Sequence, residues 1–180
     1  MGEVRQMSEE VSVYRRVILV GELNPFGTDP RLALYHLPRR SSGNRLRVIL
    51  GLSDAEYARI PKANLCEGRW RARDAHDRAR RLLADPETLV YVLLGKRVRD
   101  AFRAVCGVAG LFADFSTYRD SGNVAYTLVA LPHPSGLCRV WNDPGAAELA
   151  RDLLRRVAPR VPWGSYSEKV VDGKFSGVAG

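Results

Sequence analysis

The segment Leu131-Pro132-His133-Pro134-Ser135-Gly136-Leu137 places a histidine between two prolines. Each proline fixes φ and removes a backbone donor, so the path through His133 is stiff. The apolar run before it reads as a strand, and a histidine held rigidly at the carboxyl end of a strand sits where open α/β sheets do their chemistry. Alone, the segment also fits a proline-stiffened turn with a surface histidine. Three further segments end apolar runs in the same way: Gly21-Glu22-Leu23-Asn24-Pro25-Phe26-Gly27, Asn64-Leu65-Cys66 and Gly95-Lys96-Arg97. Together the four offer an Asn-Pro turn, a strand-end amide, a basic helix start and a rigid imidazole.

Other chemistries are poorly served. The glycines have the spacing of neither a P-loop nor a Gly-x-Gly-x-x-Gly turn. No serine sits in a Gly-x-Ser-x-Gly elbow, and no Cys–His nucleophile pair is evident. Cys66, Cys106 and Cys138 are widely spaced and odd in number, which fits free thiols in a reducing cytoplasm. They form no Cys-x-x-Cys, and His36, His76 and His133 lack ligand spacing, so no metal or other cofactor is expected.

Lys plus Arg exceed Asp plus Glu by 28 to 20, and the net charge is +8. The excess suits a polyanionic partner, because each neutralised phosphate releases counterions. It is carried mainly by arginines, among them Arg39, Arg40, Arg69, Arg71, Arg73, Arg97 and Arg99, whose forks match phosphate. A merely soluble basic protein would have the same charge. No apolar run reaches membrane-spanning length, and the N-terminus lacks the apolar region of a signal peptide. A cytoplasmic protein with no obligate protein partner is expected.

The elements that must position these residues follow from periodicity. Tyr14 to Val20 leads into a buried first strand ending at Gly21. A long loop from Glu22 to about Gly43 follows, and loops of that length are uncommon unless they bind something. Helical spacing covers Asn44 to Leu52. Ser53 and Glu56 form a capping-box pattern that opens a second helix, ended by Pro61. Ala63 to Cys66 reads as a short strand, Arg71 to Ala84 as an amphipathic helix, Leu89 to Leu94 as a strand and Lys96 to Val105 as a helix. Phe112 to Tyr118 and Val124 to Leu131 read as a hairpin or neighbouring strands about Asp120-Ser121-Gly122-Asn123. Pro144 opens the last helix, which runs to Val157. Strands alternating with helices predict an α/β fold, a three-layer α-β-α sandwich with a mostly parallel sheet of about four strands. One domain over residues 13–160 is expected, between an N-terminal tail (1–12) and a C-terminal tail (161–180) that adds little to the core.

The ordered motifs Gly-x-x-Asn-Pro-x-Gly, Asn-Leu-Cys and His-Pro-Ser-Gly-Leu, spread from about Val17 to Asn142, resemble the uracil-DNA glycosylase superfamily. The Asn-Pro turn and the Asn-Leu-Cys segment look most like its single-strand-selective and mismatch-specific branches. The resemblance implies a four-stranded parallel sheet flanked by helices, and excision of a flipped pyrimidine from DNA. Relatives with an iron–sulphur cluster use four cysteines, and this chain has three.

Carried over position by position, the resemblance makes His133 the donor to the carbonyl oxygen of the departing base. Asn24 is the best match for the residue that positions a water at C1′. One extra residue, Leu23, separates the glycine from Asn-Pro, so Glu22 or Asp29 could take that role instead. Gly21, Tyr35 and Asn64 would bind the base. Tyr35 would stack on it, although a core aromatic or neighbouring His36 competes for that place. Leu137 would wedge into the vacated stack. Ser135, Gly136 and Arg139 would grip flanking phosphates, with Lys96 and Arg97 beside the groove. Arg39, Arg40 and Arg45 could reach DNA or a substituent on the base. An Asn amide matches uracil in one orientation and cytosine in the other, so Asn64 does not choose between them. The long arginine-rich loop, and Gly136 where many relatives carry proline, leave room for a 5-substituted base, including hypermodified phage pyrimidines. A catalytically silent DNA-binding module on the same fold is the remaining reading.

Overall fold

The computed structural model describes residues 14, 16–24, 29–108, 113–122 and 125–166. Five strands form one sheet: β1 (Val17–Leu23), β2 (Lys62–Cys66), β3 (Val90–Leu94), β4 (Ser116–Asp120) and β5 (Tyr126–Leu131). Their spatial order is β2-β1-β3-β5-β4. All neighbouring pairs are parallel except β4 with β5. The helices are α1 (Ser42–Leu50), α2 (Asp54–Arg59), α3 (Ala72–Leu83), α4 (Lys96–Cys106) and α5 (Pro144–Val157), with short 3₁₀ turns at Pro30–Leu32 and Arg139–Asn142.

The expected α/β sandwich is present, and its alternation explains the layers. Along β1, Val17 and Leu19 join one core while Ile18 and Val20 join the other. Val90, Val92 and Leu94 of β3 and Val129 and Leu131 of β5 face the first core. Tyr91, Leu93, Leu128 and Ala130 face the second. Side chains alternate across a strand, so a strand that is apolar throughout must be covered on both faces. Residues of α1, α2 and α5 fill the first core, and residues of α3 and α4 fill the second.

Several boundaries differ from the sequence reading. The sheet has five strands rather than about four, because Ser116–Asp120 pairs antiparallel with β5 as an edge. Phe112 and Val124, expected to open those two strands, lie outside the described residues. β1 runs past Gly21 to Leu23, since Gly21 and Leu23 still pair with Asn64 and Cys66 of β2. α1 starts at Ser42, where the Ser41 hydroxyl caps it by accepting from the Asn44 N–H. The Ser53–Glu56 capping box forms as expected.

The C-terminal boundary also moves. Val161 and Trp163 are buried in the first core, against the expectation that residues from 161 onward add little to it. The Trp163 indole donates to the Ala158 carbonyl at 2.9 Å. Gly164 and Tyr166 donate to the carbonyls of Leu50 and Gly51. The packed unit therefore reaches at least Tyr166, because an indole needs an apolar wall and a partner for its N–H, and both are supplied here.

Candidate functional site

Strand order reverses between β1 and β3, and ligands of open α/β sheets bind at such a point, beyond the carboxyl ends of the strands. β1 pairs with β3 only through Val20, then continues along β2 alone. A crevice opens there. The associated cavity, about 260 Å³, is lined by Glu22, Leu23, Leu32, Leu34, Tyr35, Ser41, Ser42, Gly43 and His133. The loops after β1 and β5 and the N-terminus of α1 thus meet around one space.

His133 is held from three sides. Its carbonyl accepts from the Trp141 indole at 3.0 Å. Its Cβ lies close to Gly95, where a methyl group would stand 3.0 Å away. Gly95 has φ +94°, so glycine is required there both for the backbone and for the imidazole. The ring nitrogen Nδ1 accepts from the Ser135 N–H at 3.1 Å. A neutral imidazole has one donor and one acceptor, so this bond leaves the proton on Nε2. Burial holds the imidazole below its ordinary value, opposed by the Glu22 carboxylate. His133 is thus a neutral donor of fixed tautomer on the cavity wall.

The opposite wall is built by a strained backbone. Leu34 has φ +48°, a left-handed conformation costly for a bulky residue. The Tyr57 hydroxyl fixes it by donating to the Leu34 carbonyl at 2.9 Å, and the Ser41 hydroxyl donates to the Tyr35 carbonyl at 2.9 Å. Gly43 lets this turn lie against α1, because a methyl there would stand 2.2 Å from the Leu34 carbonyl oxygen. The outcome places Tyr35, 38% exposed, on the cavity rim. His36 lies behind it between the Tyr35 and Tyr57 rings, at centroid distances of 5.5 and 5.6 Å. Tyr35 is therefore a wall residue rather than a core aromatic.

Glu22 lines the cavity, and its Oε1 accepts from Arg97 Nη1 at 2.5 Å. The Arg97 guanidinium also lies 5.8 Å from the Trp70 ring centroid. Asn24 is buried instead, and its Nδ2 donates to the Asp29 carbonyl at 3.1 Å. Asp29 pairs with Arg31 in an exposed turn, and that contact holds its carboxyl below the ordinary value. The intervening Pro25, Phe26 and Gly27 lie outside the described residues.

Asn64 sits beside Gly21 in register, and a methyl on Gly21 would stand 2.4 Å from its Oδ1 and 3.1 Å from Leu34. That oxygen is buried and has no hydrogen-bond partner among the described residues. A buried unpaired acceptor costs about 1–3 kcal/mol, so its retention calls for an explanation.

The remaining candidates divide by exposure and pairing. Leu137 is 94% exposed at the loop tip, which rules out a leucine that anchors the turn. Gly136 and Arg139 are exposed and Ser135 is half-buried on the same loop. Lys96 is exposed but paired with Asp100 at 2.6 Å, one turn along its own helix. Arg45, half-buried, is engaged by the protein itself: it donates to the Ser135 carbonyl at 2.6 Å and to the Asn142 side chain at 3.3 Å. The α1 N-terminus and the Arg45 and Trp141 contacts escaped the sequence reading, since nothing in their spacing links them to His133.

Among the described residues no group of three or more His, Cys, Asp or Glu side chains is placed to hold a metal ion, and no helix is long and apolar enough to cross a membrane. The chain matches no protein-family model, and a comparison with curated proteins gives no match either.

Proposed function

We propose that this protein is a monofunctional DNA glycosylase that takes a flipped pyrimidine into the crevice and hydrolyses its N-glycosidic bond. The observation that carries the reading is His133: a neutral, tautomer-fixed donor on a cavity wall, facing an aromatic rim, on a loop whose tip is an exposed leucine.

Cleavage leaves positive charge on the sugar and negative charge on the departing base. The C1′–N bond breaks with its electron pair on the base, and His133 Nε2–H donates to the base carbonyl oxygen where that charge gathers. A donor fixed in advance stabilises this state more than the ground state. A water oxygen then bonds to C1′. Glu22, on the cavity wall, fits the water-positioning and proton-accepting role better than Asn24, whose buried amide is engaged with Asp29. Asn24 would instead shape the loop that carries the water.

Tyr35 stacks on the extruded ring, a contact that clamps without choosing the base. A turn of the Asn64 amide gives its unpaired acceptor a donor on the base edge, with Gly21 leaving the space. Leu137 fills the gap in the duplex, and extrusion costs only a few kcal/mol. Ser135, Gly136 and Arg139 contact backbone phosphates beside it. The Lys96 and Arg97 cations reach phosphate only by exchanging their carboxylate partners.

One observation favours a substituted base as a second reading. Ser42 lines the cavity beside Ser41 and Gly43, which brings a hydroxyl-bearing side chain to that wall. A polar group at C5 of the pyrimidine would meet it, as in hypermodified phage DNA, which would make the enzyme one of defence rather than repair.

The test is a set of oligonucleotides carrying uracil, mismatched thymine, hydroxymethylated and glucosylated pyrimidines, each treated with alkali after incubation. Breaks at uracil support repair, and breaks only at modified bases support defence. Binding without breaks on any substrate overturns the enzyme reading and leaves a DNA-binding module.

A further inference from the structure

We infer that Arg45 is a positioning residue for His133, acting through Ser135 to fix the imidazole tautomer and the distance between the two cavity walls. The catalytic consequence rests on the glycosylase reading, whereas the tautomer consequence rests on the geometry alone.

Arg45 belongs to α1, whose first residues, Ser42 and Gly43, line the cavity opposite His133. Its guanidinium reaches the other wall at two points, the Ser135 carbonyl at 2.6 Å and Asn142 Oδ1 at 3.3 Å. These bracket the exposed tip at Leu137. A planar fork donating to two acceptors fixes both direction and distance, and bonds from a charged donor are stronger than neutral ones. Ser135 in turn gives its N–H to His133 Nδ1. The three residues therefore form a chain from guanidinium to carbonyl, and from the same residue's N–H to the ring.

Removal of the guanidinium leaves the Ser135 carbonyl with the neutral Cys138 N–H, at 3.1 Å, in place of a charged donor. Held by that neutral bond alone, the Ser135 peptide can shift, its N–H loosens from Nδ1, and the proton of His133 is free to occupy either nitrogen. In the molecules where it moves to Nδ1, Nε2 would face the base as an acceptor. The Trp141 indole still holds the His133 carbonyl, so the loop stays attached while the ring loses its aim. Gly136 adds no restraint, since a methyl there would lie 3.8 Å from Arg45 Nη1.

The experiment compares the parent protein with Arg45→Ala and Arg45→Lys in three measurements: single-turnover excision, binding to the same oligonucleotide with a non-hydrolysable sugar, and ¹⁵N NMR of histidine. The His133 signals are identified by their loss in His133→Gln. In the parent, one His133 nitrogen is protonated and the other carries a bare lone pair. In Arg45→Ala the two shifts converge, excision falls about 100-fold as expected for a misaimed group, and binding holds. Arg45→Lys, which retains the charge and stem but cannot span both acceptors, is intermediate and carries the test if Arg45→Ala does not fold. Guanidinium ion at millimolar concentration restores both the shifts and the rate in Arg45→Ala. Unchanged His133 shifts in both variants overturn the inference, as does a loss that guanidinium does not reverse. If the parent excises no pyrimidine, the shifts still decide the role of Arg45, and only the glycosylase reading falls.

Discussion

Nδ1 of His133 accepts the backbone N–H of Ser135 at 3.1 Å, so the loop that carries the histidine also decides which of its nitrogens can donate. Protonation of the ring converts Nδ1 to a donor, sets it against that N–H and disrupts the loop. Burial already holds the imidazole below its ordinary 6.5, despite the opposing Glu22 carboxylate. The folded state therefore binds fewer protons than the unfolded one in the interval below 6.5. The stability this contributes is complete above 6.5 and is lost as pH falls through that interval toward the folded value. Single-turnover excision should fall over the same interval. A rate that keeps rising as the solution is acidified would show that the imidazolium, not the neutral ring, is the donor.

Replacement of His133 by Ala should lower excision about 10²–10³-fold, the usual loss for one fixed donor to a developing oxyanion. Binding to DNA should change little, because phosphate contacts carry most of the affinity. Filter binding and single-turnover rates on one oligonucleotide separate the two. Full activity in His133→Ala removes the residue from the mechanism.

Glu22 and Asn24 compete for the water, and their surroundings predict different signatures. Glu22→Gln keeps the size of a cavity-wall side chain but cannot accept a proton, so excision should drop about 10²–10⁴-fold with little change in Tm. Asn24→Ala removes a buried side chain bonded to the Asp29 carbonyl, and should cost about 1–3 kcal/mol of stability with a smaller effect on rate. Thermal melts beside rate measurements decide. The opposite pattern would return the water to Asn24.

Leu137, at 94% exposed, stabilises nothing in the folded chain. Leu137→Ala should leave stability within about 0.5 kcal/mol of the parent. It should slow excision from duplex DNA while sparing single-stranded substrate, where no gap has to be filled. Equal losses on both substrates would argue against a wedge.

Much of this molecule is legible from the chain, for a physical reason. Val17–Val20, Val90–Leu94 and Leu128–Leu131 are apolar on both faces, which only a covered, mostly parallel sheet satisfies, and Ser53 with Glu56 announces a helix in four residues. His133 is legible because proline chemistry is local. Less accessible are the relationships that join distant segments. Arg45 and Ser135 are 90 residues apart, and Glu22 and Arg97 are 75 apart, with nothing in local spacing to link them. The half-exposed edge strand Ser116–Asp120 is legible as a strand but with shifted bounds, from Phe112 to Tyr118, and Trp163 hides behind a Gly- and Pro-containing stretch that reads as a tail. Gly43 is informative only once the backbone at Leu34 and Tyr35 lies across it.

Asn64 yields a prediction in which stability and function move apart. Its Oδ1 is buried against Gly21 without a partner among the described residues, and such an acceptor destabilises the folded chain by about 1–3 kcal/mol until something donates to it. Asn64→Ala removes the orphan and leaves only a small space, so Tm should be unchanged or higher. If the acceptor is kept for a base, the same variant should lose selectivity among pyrimidines and bind the extruded base more weakly. Single-turnover rates at saturating and limiting protein would then show a loss in the concentration dependence larger than in the maximal rate. Gly21→Ala should give the same functional defect from the other side, by driving a methyl group into the amide, but with a fall in Tm. Agreement of the two in function and disagreement in stability would assign the amide to ligand recognition. A fall in Tm for Asn64→Ala would make it a structural residue instead.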